Sequence, residues 1–74
     1  MNYAHKDLIR EALKLRKQAD VLNAIADKAI SKLLTGKADT YEVESLRDQM
    51  QAVSTLFTEQ YETTRRAFEK AQRL

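Results

Sequence analysis

The sequence holds no cysteine, no proline and no tryptophan, and only one glycine and one histidine in 74 residues. Each absence excludes something. Without cysteine there is no disulfide, and with a single histidine a structural zinc site lacks ligands. The missing thiols also suit a reducing compartment. Without proline, and with glycine only at position 36, the signals that stop a helix occur once, near the middle. No run approaches the ~20 apolar residues needed to span a bilayer, and positions 1–10 mix apolar, acidic and basic side chains without a signal-peptide core. A soluble, cytoplasmic chain is expected.

The ingredients of catalysis are scarce too. His5 stands in the first turn of the first expected helix, with no serine placed against it as a nucleophile. Glu42, Glu44 and Asp48 sit near a helix start, where the helix dipole accounts for them. His5 and Asp7 fall short of a coordination sphere, and no phosphate-binding glycine loop, EF-hand or His-Glu-x-x-His pattern occurs. The expectation is no enzyme, no cofactor, no metal and no small-molecule substrate.

What the chain does have is helical periodicity. Ala4, Leu8, Ala12, Leu15, Ala19, Leu22, Ala26, Ala29 and Leu33 recur at intervals of mostly three and four residues, as on one face of an amphipathic helix. After Gly36 the spacing returns at Val43, Leu46, Met50, Val53, Phe57, Gln60, Thr64, Ala67, Ala71 and Leu74, in the manner of a coiled coil. Gly36 suits the left-handed residue that closes a helix, Asp39 with Glu42 forms a capping-box relative, Thr40 is the alternative cap, and Asn2 can cap the first helix. These signals predict an all-α fold in one domain, 1–74: helix 1 over about 3–35, a turn at 36–40 and helix 2 over about 41–73. Helices of that length reach ~50 Å, and so short a connection makes them antiparallel. Counting outward from the turn pairs Leu33 with Val43, Ala26 with Met50, Ala19 with Phe57, Ala12 with Thr64, and Leu8 with Ala67 or Phe68.

A chain this small gains only ~3–5 kcal/mol from its core, yet it carries more apolar residues than one seam can cover. Ile9 and Leu13 lie to one side of the first stripe, Val21 and Ile25 to the other, and Leu56, Tyr61 and Phe68 beside the second. These seven are the candidate partner or oligomer interface. A homodimer forming a four-helix bundle, or docking on a larger protein, satisfies them; the bland alternative is a marginal monomer with a wide apolar shoulder.

Overall charge is +2, from 13 basic and 11 acidic residues. Residues 1–18 and 59–74, together at the open end of the hairpin, hold nine bases and five acids, so that end carries +4 and the turn half −2. Lys6, Arg10, Arg65, Arg66, Lys70 and Arg73 are the candidate contacts for an anion or nucleic acid. The alternative is an ordinary solvated face, since acids interleave the bases and no aromatic platform for stacking bases is evident. Mixed charge likewise argues against a membrane-surface helix.

A dimer of such hairpins resembles in architecture the RNA-binding bundle of the plasmid copy-number regulator Rop, without a shared motif. The run Lys32-Leu33-Leu34-Thr35-Gly36, followed by a helix rich in Gln and Leu, looks like the E-type co-chaperones of type III secretion needle subunits over residues 20 to 60. That likeness implies a hairpin serving a protein partner. The broader expectation is a non-enzymatic interaction module, such as an adaptor, chaperone, assembly factor or inhibitor of bacterial or phage kind, acting through helix packing as a homodimer or on a larger protein.

Overall fold

The computed structural model describes residues 3–37 and 39–73. It contains two helices, α1 (Tyr3–Leu34) and α2 (Thr40–Gln72). They fold back on each other into a hairpin measuring 53 × 17 × 12 Å. The all-α hairpin expected from the periodicity is therefore present, with both helices placed within a residue of the sequence boundaries.

The turn is built from local hydrogen bonds. Gly36 takes φ +66°, the left-handed conformation that a Cβ disfavours. The Gly36 amide donates to the Leu33 carbonyl at 3.3 Å and the Lys37 amide to the Lys32 carbonyl at 3.2 Å, the paired bonds of a Schellman motif. Thr35 adds its hydroxyl, which donates to the Ser31 and Lys32 carbonyls. The run from Lys32 to Gly36 is thus a helix end in its own right. Asp39, and not Thr40, caps α2: its carboxylate accepts from the Glu42 amide at 2.8 Å. The Glu42 side chain does not complete a reciprocal capping box. It crosses to Lys32, accepting from Nζ at 2.8 Å, and ties the end of α1 to the start of α2. The expected Asn2 cap and the last stripe residue, Leu74, lie outside the described residues.

The seam between the helices follows a slightly different line from the expected one. In α1 the deepest positions are Glu11 and Ile25, and half-buried Gln18 falls midway between them at seven-residue spacing. Ala12, Ala19 and Ala26 are also half-buried, one residue further around the helix. In α2, Leu46, Thr64 and Ala67 are buried, with Val53, Phe57 and Gln60 partly so. The register agrees with the outward count to within about two residues, since Thr64 meets Glu11 and Lys32 meets Glu42. Toward the turn, three stripe residues are left uncovered beside buried Leu46: Leu33 is 62% exposed, and Val43 and Met50 are exposed as well. Ile25 is the reverse case. Expected among the uncovered apolar residues, it is buried between the helices, because the seam is centred on positions 11, 18 and 25, with the neighbouring alanines half-buried at its edge.

The helix end makes a direct prediction. A Cβ added at Gly36 meets no atom within 4 Å, so the cost of Gly36→Ala is that of backbone conformation alone, about 1–2 kcal/mol. Gly36→Asn should cost less, because asparagine tolerates the left-handed region. Urea unfolding followed by helical circular dichroism measures both; equal stability of all three chains would contradict the assigned helix end.

Candidate functional site

The hairpin has two unlike sides. On one, Ala29 and Leu33 of α1 and Val43, Leu46, Arg47 and Met50 of α2 line an open apolar groove of about 230 Å³. Helical repetition extends this side toward the open end. Tyr61 and Phe68 follow Val43 and Met50 by 18 residues each, about five full turns, so all four share one face of α2. Tyr61 and Phe68 are each 51% exposed. On α1 the same side continues from Leu33 through Ala26, Ala19 and Ala12 at seven-residue intervals. Exposed Ile30 and Ile9 flank that row on its outer edge.

The other side is polar. One groove there is lined by Lys28, Lys32, Tyr41, Glu42, Ser45, Leu46 and Gln49, and a second, nearer the open end, by Asp7, Arg10, Glu11, Thr63, Arg66, Ala67 and Lys70. Val21 precedes Lys28 by seven residues and Leu56 follows Gln49 by seven, so both belong to this polar side. Leu13, 21 residues before exposed Leu34, lies with it on the outer surface of α1. The seven interface candidates therefore do not form one patch. Ile9, Tyr61 and Phe68 fall on or beside the apolar face; Leu13, Val21 and Leu56 point elsewhere; Ile25 is core. Part of this face comes from the stripe itself, Leu33, Val43 and Met50. Leu33 lies in the last turn of α1, where few neighbours remain to cover it, and Val43 and Met50 stand three before and four after buried Leu46, on the flank of the seam and off its line.

The six basic candidates also divide. Arg10 pairs with Asp7 at 2.9 Å and lies 3.6 Å from Glu11. Arg65 pairs with Glu62 at 2.9 Å and with Glu69. The open-end groove brings Arg10, Arg66 and Lys70 together, in the company of Asp7 and Glu11. Lys6 and Arg73 are exposed and line neither polar groove.

Between the two sides lies a polar cluster in the seam. Gln60 Nε2 donates to Glu11 Oε2 at 2.6 Å and is 3.3 Å from the Glu11 carbonyl, and Thr64 Oγ1 donates to the same carbonyl at 3.2 Å. Lys14 reaches the carboxylate at 3.3 Å. The Gln60 amide holds the Glu11 carboxyl below its ordinary range, opposed by burial and helped by Lys14 and then Arg10. The neighbouring Gln18 Oε1 is buried without a hydrogen-bond partner. Glu11 is the functional-looking carboxylate that stripe reading passed over; its place on the 3,4 spacing between Leu8 and Leu15 was the clue. No group of three or more potential metal ligands occurs among the described residues.

No protein-family model, curated protein or solved structure matches the chain. Among the described residues, no helix is long and apolar enough to cross a membrane.

The depressed Glu11 carboxyl sets a pH dependence. A group that is more acidic when folded stabilises the fold above its unfolded value and loses that contribution as pH falls through the folded one. Unfolding temperature should thus drop on acidification below pH 4.5, the ordinary value. Glu62, held low by Arg65, acts in the same direction but is half exposed. Thermal melts at a series of acidic pH values should show a shallower acid limb in Glu11→Gln; superimposable limbs would contradict the role given to this carboxylate.

Proposed function

We infer that this chain is a non-enzymatic protein–protein interaction module that works by helix packing on its apolar face. The observation that carries this reading is the two-sidedness of the hairpin: Leu33, Val43, Met50, Tyr61 and Phe68 stand exposed on one side, while the grooves of the opposite side are lined mostly by charged and polar groups. Apolar side chains gathered on a single side mark a docking surface far more strongly than the same residues scattered. Their spacing along the helix is that of an additional row beside the seam, which is how a helix of a bundle contacts a third helix.

An adaptor, a chaperone, an assembly factor and an inhibitor would all use such a face. The likeness of residues 20–60 to needle co-chaperones points the same way, toward a hairpin presented to another protein. Nucleic-acid binding at the open end is the weaker reading, since Arg10 and Arg65 are already paired with carboxylates and two acids line the basic groove.

The test is site-specific photo-crosslinking in cells producing the chain. A photoreactive side chain at Met50 or Phe68 should give a discrete adduct heavier by at least one protein, whereas the same group at Val21 or Leu56 should not. Adducts absent from the first pair, or equal from both pairs, would overturn the assignment of the face.

A further inference from the structure

Resting on the docking face just assigned, the spacing within that face names its occupant. We propose that it is closed by a second copy of the same chain lying head to tail, giving a four-helix bundle in which each helix packs against its own copy across a two-fold axis at the level of Ala19.

The rows on the two helices share one centre. On α1, Ala12 and Ala26 stand seven residues either side of Ala19. On α2, Met50 and Tyr61 are equidistant from a point between residues 55 and 56, and so are Val43 and Phe68. These two centres lie opposite each other, because the hairpin sets Glu11 beside Thr64 and Lys32 beside Glu42. A single axis through both, in the plane of the face and across the helices, therefore superposes each row on itself. It brings Ala19 against Ala19 of the second copy, Ala12 against its Ala26, Met50 against its Tyr61 and Val43 against its Phe68. A two-fold interface requires such self-complementarity. The alanine row allows the two α1 helices to approach to about 8 Å between axes, and the larger pairs fill the space between the α2 helices.

Charge selects between the two ways of stacking the faces. Turning the second copy about the long axis of the hairpin would set two open ends of +4 side by side. The head-to-tail arrangement lays each +4 end over a turn half of −2, and complementary potentials favour that encounter. The area also suffices: a face 53 Å long and 17 Å wide offers on the order of 900 Å², against the ~800 Å² per partner of a standard stable interface.

The absence of cysteine makes the test clean, because a single introduced thiol can form a protein disulfide only with another copy. Light scattering of the full chain should give about twice its 8.5 kDa mass. Ala19→Cys should form a covalent dimer on mild oxidation, since a disulfide needs Cα atoms only ~4.4–6.8 Å apart. Ala12→Cys and Ala26→Cys should each resist oxidation alone but crosslink with each other when mixed, and circular dichroism checks that each variant stays helical. A dimer in which the Ala19→Cys thiol stays reduced, or in which the Ala12→Cys chain crosslinks to itself, would overturn the head-to-tail arrangement. A monomeric mass would overturn self-association altogether; photo-adducts from Met50 or Phe68 to a different protein would then leave the docking face standing with another occupant.

Discussion

Two helices can bury only the surfaces they turn toward each other, and in this hairpin that single seam is the constraint from which the rest follows. Ile25, Leu46 and Ala67 are its buried apolar side chains, and no side chain among the described residues is fully removed from solvent. Burial returns roughly 25 cal/mol per Å² of apolar surface, so a core this thin gives little with which to offset the conformational entropy of ordering some seventy residues. Covering the apolar row beside the seam would therefore stabilise the hairpin itself. Such cover adds the third and fourth walls that a two-helix layer lacks.

Within the seam, polarity serves alignment. Glu11, Gln60 and Thr64 hold one another near the open end, and Lys32 with Glu42 spans the turn end. A slip of one heptad would leave the Glu11 carboxylate facing an apolar neighbour, with its amide partner a full seven residues away. Polar groups at seam positions are the best-attested device for fixing register in packed helices. Fixed register matters here beyond the hairpin itself, since the rows on α1 and α2 share a centre only when the two helices are correctly aligned.

Much of this was legible in the residues. One glycine in a proline-free chain located the turn, Asp39 located the second helix start, and the 3,4 spacing made both elements helical. The face was harder to read. Periodicity tells which residues share a side, but neighbouring phases compete, and the choice between the row at 12, 19 and 26 and the row at 11, 18 and 25 depends on tertiary packing. The alanine row looked like the better core because its members are apolar, whereas the second row contains a glutamate and a glutamine; the partners of that glutamate, Gln60 and Thr64, belong to the other helix. That exchange moved Ile25 into the core and left Leu33, Val43 and Met50 outside it. Scattered candidates such as Leu13 and Leu56 carried no directional information until the second helix was in place.

A hairpin with so thin a seam depends on having its apolar face covered. The most direct test is the concentration dependence of thermal unfolding for the isolated chain. Association linked to folding makes the unfolding temperature rise with protein concentration, and such a rise is expected over a hundredfold range. A cooperative transition at high temperature, independent of concentration and given by a monomer, would show that one seam is enough and would contradict the need for cover.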